Sequence, residues 1–184
     1  MNDLAPRRTI AVASVVTALL VALLVVTLAR ASGDADVVPE SPLLGRPAPA
    51  LQTTTIDDET FDLSRRKGSW VVLNFFNSTC VPCRDEHADL VAFAEAQVNA
   101  IDPVELYSVV VDDSDAAVRE FFDEFGGSWP KLRDVDGSIT VAFGVAQVPE
   151  TWVIDPNGVV RLRVAGRVTR DILESEFDSM RGES

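Results

Sequence analysis

The sequence predicts an α/β fold in which a central mixed β-sheet is flanked by helices and preceded by one N-terminal transmembrane helix. Three observations carry that expectation. Residues 9–29 form an uncharged apolar run. Beyond it, buried-strand patterns alternate with helical ones, giving the order β-β-β-α-β-α-α-β-β-α. The last two strands flank a turn, so a βαβ unit is followed by a ββα unit and the sheet is mixed. The 184 residues suffice for one ordinary domain and an accessory segment.

The first element is Thr9–Ala29, composed almost wholly of Ala, Val, Leu, Ile, Ser and Thr. As a helix it spans about 31 Å, close to the hydrocarbon thickness of a bilayer. Arg7 and Arg8 precede it and Asp34, Asp36 and Glu40 follow Arg30, so residues 1–8 are expected in the cytoplasm and the rest outside. A cleaved signal peptide is the alternative, since Ala29-Arg30-Ala31 has the small-x-small form of a cleavage site. The apolar run is longer than a usual signal core, which favours the anchor. Residues 30–43 read as a linker, and the domain is expected over 44–182.

Within the domain, Leu51–Ser64 alternates weakly around Asp57-Asp58-Glu59, as an edge hairpin does. Trp70–Phe76 (WVVLNFF) is a near-continuous apolar run, the pattern of a strand buried on both faces. From Val81 to about Asn99 the period becomes helical, with Leu90, Val91, Ala94 and Val98 on one stripe. Val104–Val111 is a second buried strand. Ser114 can cap a helix that ends at Gly126-Gly127. Ser138–Phe143 reads as a short helix, and Thr151–Ile154 and Val159–Val164 pair across the Asp155-Pro-Asn-Gly158 turn. A closing helix begins at Thr169.

The formal net charge is −13. Such acidity repels phosphate backbones and argues against nucleic-acid binding. It serves solubility, or attraction to a basic partner.

The chain has two cysteines, in Cys80-Val81-Pro82-Cys83, directly after a buried strand and opening a helix. A thiolate at a helix N-terminus meets unpaired N–H groups and the positive end of the dipole, which lower its pKa. Cys80 is therefore the candidate attacking sulfur. Cys83, one turn further in, is placed to resolve a mixed disulfide. Pro82 costs no hydrogen bond in the first turn and stiffens the loop. A purely structural disulfide across so short a loop would stabilise little. Zinc would need two more ligands, and only His87 and carboxylates are at hand. Glu86 lies three residues after Cys83, either as a proton partner of the resolving thiol or as a solvated carboxylate. His87 is expected at the surface.

These residues resemble the exported thioredoxin-like proteins of TlpA, ResA and CcmG (DsbE) type. The likeness rests on the strand leading into Cys80-Val81-Pro82-Cys83-Arg84-Asp85-Glu86, on Val148-Pro149-Glu150-Thr151 some 65 residues later, and on Leu44-Gly45-Arg46-Pro47 at the domain entrance. It covers roughly residues 41–180. The resemblance implies a thioredoxin-like fold, with Pro149 cis and facing the dithiol. It implies that Val148 offers its backbone to an extended substrate, and that Glu86 occupies the acidic position tuning the thiols. The stretch from Asp112 to Lys131 would be an insertion. Three departures stand out: Thr79 where the family usually has Trp, Ala88 in place of a proline, and Gln147 where Gly is common. Thr79, Pro82, Val148 and Pro149 are thus the expected substrate-binding residues, beside catalytic Cys80, Cys83 and Glu86.

The implied activity is thiol-disulfide exchange without cofactor or metal, on cysteine-containing exported proteins. Reduction of apocytochrome c, fed by a membrane thiol-disulfide electron donor, is the leading expectation. An oxidase for folding exported proteins is the same chemistry reversed. A peroxiredoxin-type peroxidase would need Thr where Asn77 stands, and a copper-delivery module would need a wider cysteine pair and a distant histidine.

Overall fold

The computed structural model describes residues 17–22, which are helical, and residues 41–182. The anchor expected at 9–29 and the linker at 30–43 thus lie largely outside the described residues. Among the described residues no helix is long and apolar enough to cross a membrane.

The five-stranded sheet grows from β3 (Trp70–Phe76), whose β-branched and aromatic residues are buried throughout. It pairs in parallel with β4 (Val104–Val110) and antiparallel with β6 (Glu150–Ile154). Beyond them lie β5 (Lys131–Arg133), parallel to β4, and β7 (Val160–Ala165), antiparallel to β6. The strand order is β5-β4-β3-β6-β7, a mixed sheet as expected. A separate ribbon pairs β1 (Gln52–Thr54) with β2 (Thr60–Asp62). That hairpin is shorter than the sequence suggested, because Asp62 caps a 3₁₀ turn over Leu63–Arg66.

Alternation along β3 splits the core in two. Trp70, Val72 and Phe76 face α1 (Val81–Gln97), α2 (Asp115–Phe125) and α4 (Arg170–Gly182), packing with Leu90, Phe93, Phe121 and Phe177. Val71, Leu73 and Phe75 face α3 (Ser138–Phe143) and the ribbon, packing with Phe143 and Phe61. Each such side chain contributes about 1.5–3 kcal/mol by leaving water.

Ser114 caps α2 through a 3.2 Å bond from the Ala117 N–H, and Gly126, with φ 82°, ends it. The stretch read as an insertion therefore contains α2. The one strand not anticipated is β5. Three residues with charged ends give no period, and its position comes from pairing with β4 and from full burial of Leu132.

Candidate functional site

β3 ends at Phe76 and α1 begins at Val81, so the chain reverses from sheet to helix over the four residues Asn77–Cys80. This junction is tied down on both sides. Asn77 Nδ2 donates to the carbonyls of Val111 and Asp112 at 3.0 Å each, while its Oδ1 accepts from Thr79 N and Oγ1 at 2.8 and 2.7 Å. Ser78 N donates to Asp113 Oδ2 at 2.7 Å, and Arg84 Nη1 donates to Ser78 O at 3.1 Å. The Arg84 guanidinium also lies 4.7 Å from the Phe125 ring centre.

Cys80 is the N-cap of α1, and its Sγ accepts from Cys83 N at 3.2 Å. Cys80 and Cys83 are joined as a disulfide with Cα atoms 5.3 Å apart. Their exposure differs: Cys80 is half-buried, whereas Cys83 is 1% exposed. Pro82 is exposed in the first turn. The Val148–Pro149 peptide bond is cis, as the resemblance implied, and the Val148 carbonyl lies 3.6 Å from Cys80 Sγ. Pro149 is buried, and its carbonyl accepts from Gly166 N at 2.9 Å.

One turn below Cys83, Glu86 is fully buried. Its Oε1 accepts from Asn74 Nδ2 at 2.7 Å and its Oε2 from Val168 N at 2.8 Å. Burial raises its pKa from 4.5 to about 7, against the opposing pull of those two donors and of Arg167. The solvated alternative for this carboxylate is thereby excluded.

A match to the AhpC/TSA family spans residues 44–163. The chain belongs to the AhpC/TSA family. Within it, the chain is similar to the thiol:disulfide interchange protein HelX of Rhodobacter capsulatus, 30% identical over 155 residues, covering 83% of this chain and 84% of the relative. It is also similar to the thiol-disulfide oxidoreductase ResA of Oceanobacillus iheyensis, 31% identical over 144 residues, covering 74% of this chain and 72% of ResA. Among solved structures, MTB dsbF superposes with a TM-score of 0.63 at 28% identity, covering 70% of this chain and 93% of dsbF. With its Cys-x-x-Cys pair in place, this member of the family is a thiol-disulfide oxidoreductase of thioredoxin-like fold.

In this oxidoreductase His87 is not at the surface but 4% exposed. It packs edge-on against Phe121 and Phe122, with ring centres 4.6 and 5.1 Å away, and its Nε2 lies 3.0 Å from Gly126 O. Burial lowers its pKa. The reason is that α2 packs on the same sheet face beside α1 and lays Phe121 and Phe122 against His87, while Glu86 turns toward β3 and the loop before α4, so two adjacent positions of α1 are both covered.

A cavity of about 320 Å³ opens beside Cys80, lined among others by Asn77, Thr79, Thr140, Gln147 and Val148. The fold therefore brings Thr79, Cys80 and Val148 to one opening, with Pro149 behind them, and leaves Pro82 on the outer turn. Sequence reasoning assigned no site role to Asn74, Asn77, Asp113 or Thr151, though Asn77 and Thr151 stand in its motifs. The single polar residue inside WVVLNFF was a signal for Asn74, because a buried amide requires partners.

Proposed function

We propose that this domain stands outside the cytoplasm, tethered by the apolar N-terminal segment, and reduces disulfides in cysteine-containing exported proteins, apocytochrome c above all. The observation that carries this reading is the asymmetry of the two sulfurs. Cys80 borders an open cavity and the Val148 backbone, while Cys83 is sealed above a carboxyl group poised near neutral pH. The names of the relatives, thiol:disulfide interchange proteins and thiol-disulfide oxidoreductases, support it.

In the reduced protein, the Cys80 thiolate at the α1 N-terminus attacks one sulfur of a substrate disulfide. The substrate S–S bond breaks, one sulfur leaves as a thiolate, and the other is bonded to Cys80. An extended substrate pairs with the backbone of Val148 and its side chains meet Thr79 and Pro82. Cys83 then gives its proton to ionised Glu86 and attacks Cys80 Sγ, so the second substrate sulfur leaves as a thiolate. Two electrons have passed to the substrate, and the Cys80–Cys83 disulfide remains. A membrane thiol-disulfide donor returns two electrons and restores the dithiol.

The test is Cys83→Ser in the tethered protein, which leaves Cys80 able to attack and removes the group that resolves. Mass spectrometry of the disulfide-linked adducts is expected to find apocytochrome c. An assortment of folding secreted proteins would instead assign the oxidase direction, and no adduct at all would overturn the roles given to the two cysteines.

A further inference from the structure

Asn74 stands in the middle of the central strand, 1% exposed, with Ser108 beside it on β4 and Thr151 beside it on β6. Its neighbours on the same face, Val72 and Phe76, are wholly apolar packing residues. An amide there is costly unless its hydrogens are used, and a leucine of nearly the same shape would not have that cost. Both hydrogens are used: Nδ2 donates to Glu86 Oε1 at 2.7 Å and to Thr151 Oγ1 at 3.1 Å. One side chain thus joins the carboxyl group beneath Cys83 to the strand that begins just after Pro149.

A second link runs the same way. Val168 N donates to Glu86 Oε2 at 2.8 Å, and two residues earlier Gly166 N donates to the Pro149 carbonyl at 2.9 Å. Glu86 is thereby fastened to the Pro149 segment from both of its oxygens. The charged or titratable groups facing it are few. On α1, Cys83 lies one turn before it and the repelling Asp89 one turn after, and the loop before α4 brings the attracting Arg167. β3 presents Asn74, which is backed in turn by Thr151 of β6. Among the described residues Glu86 accepts from Asn74 Nδ2 and Val168 N, and these two neutral donors are its direct support.

We propose that Asn74 is a positioning residue of the thiol chemistry, fixing the Glu86 carboxyl beneath Cys83 and setting the pH at which that carboxyl ionises. This rests on the reading that Glu86 receives the Cys83 proton. An amide N–H bonded to a carboxylate favours the charged form. Asn74 therefore counteracts burial and keeps Glu86 able to accept a proton at neutral pH. Without it, Glu86 stays protonated and Cys83 loses its acceptor.

The test reads Glu86 directly, by carbon-13 NMR of side-chain carboxyls in glutamate-labelled full-length protein, with Glu86→Gln assigning the signal. Asn74→Leu is expected to move the midpoint upward by about one pH unit, a tenfold fall in the ionised fraction below it. Asn74→Val, which offers no donor and suits a central strand, is expected to do the same should the leucine variant not fold. A folded variant with an unmoved midpoint overturns the proposal. A parallel pH profile of mixed-disulfide resolution by Cys83 tests the underlying reading separately. If the NMR midpoint moves and the resolution profile does not, Asn74 still sets Glu86, and Glu86 is not the proton acceptor of Cys83.

Discussion

Two carboxylates in this domain are almost sealed from water, and they are held in opposite ways. Glu150, 1% exposed, lies in the fork of Arg163: Oε1 accepts from Nε and Oε2 from Nη2, both at 2.9 Å, and Trp152 Nε1 adds a third bond to Oε1 at 2.9 Å. Glu86, 0% exposed, accepts from an amide and a backbone N–H and, among the described residues, from no guanidinium. Glu150 is held by a full cation at hydrogen-bond distance, whereas Glu86 has neutral donors and a pKa raised by burial to about 7. Glu150 is a joint between β6 and β7, directly behind Pro149. Glu86 is the group that can give and take a proton.

The largest effect expected from this contrast is that of Arg163→Ala. The side chain is 13% exposed against 1% for Glu150, so the pair is mostly desolvated. Removing the cation leaves a buried charge without compensation, which costs about 3–5 kcal/mol. Urea unfolding at neutral pH measures it, and a loss below about 1 kcal/mol would mean that the fork does not hold Glu150.

Glu86→Gln sharpens the other half. The folded protein binds the Glu86 proton more tightly than the unfolded chain does, with midpoints of about 7 and 4.5. Between those values the native state carries more protons, so stability falls as pH rises. What this group contributes is fully present below pH 4.5 and is lost by about pH 7, a difference of roughly 3 kcal/mol. In Glu86→Gln that decline should be absent. Unfolding midpoints of the two proteins from about pH 4 to about pH 8 decide it, and parallel curves would show that Glu86 does not titrate in that window.

The contrast also marks where the sequence was legible. The sheet, the helices and the dithiol announced themselves through local signals: the apolar run of β3, the Ser114 cap, the Asp155–Gly158 turn, the two cysteines. Spacing placed Glu86 and His87 within a turn of Cys83 but could not say which face of α1 would be covered. That depends on α2, which packs Phe121 and Phe122 over His87. The partners of Glu86 were further out of reach. Asn74 is 12 residues away and Val168 is 82, and Thr151 is 77 residues from Asn74. Only strand register brings them together. β5 escaped for the same reason, since three residues become a strand by adopting a neighbour's edge.

Thr151→Val separates charge from hydrogen bonding, at the smallest cost of the three. Valine keeps the branched shape that β6 packs at this buried position, so the change is chiefly the loss of the hydroxyl. What disappears is the Oγ1 acceptor of one Asn74 N–H. The other N–H still reaches Glu86 Oε1, so the carboxyl keeps both of its donors. A buried neutral donor left without a partner costs about 1–2 kcal/mol. The same urea measurement should therefore place Thr151→Val well above Arg163→Ala in stability, with the Glu86 midpoint moved less than by Asn74→Leu. Losses of equal size would mean that unmet hydrogen bonds, not unmet charge, govern both sites, and the division between a carboxylate held by a cation and one held by neutral donors would fall.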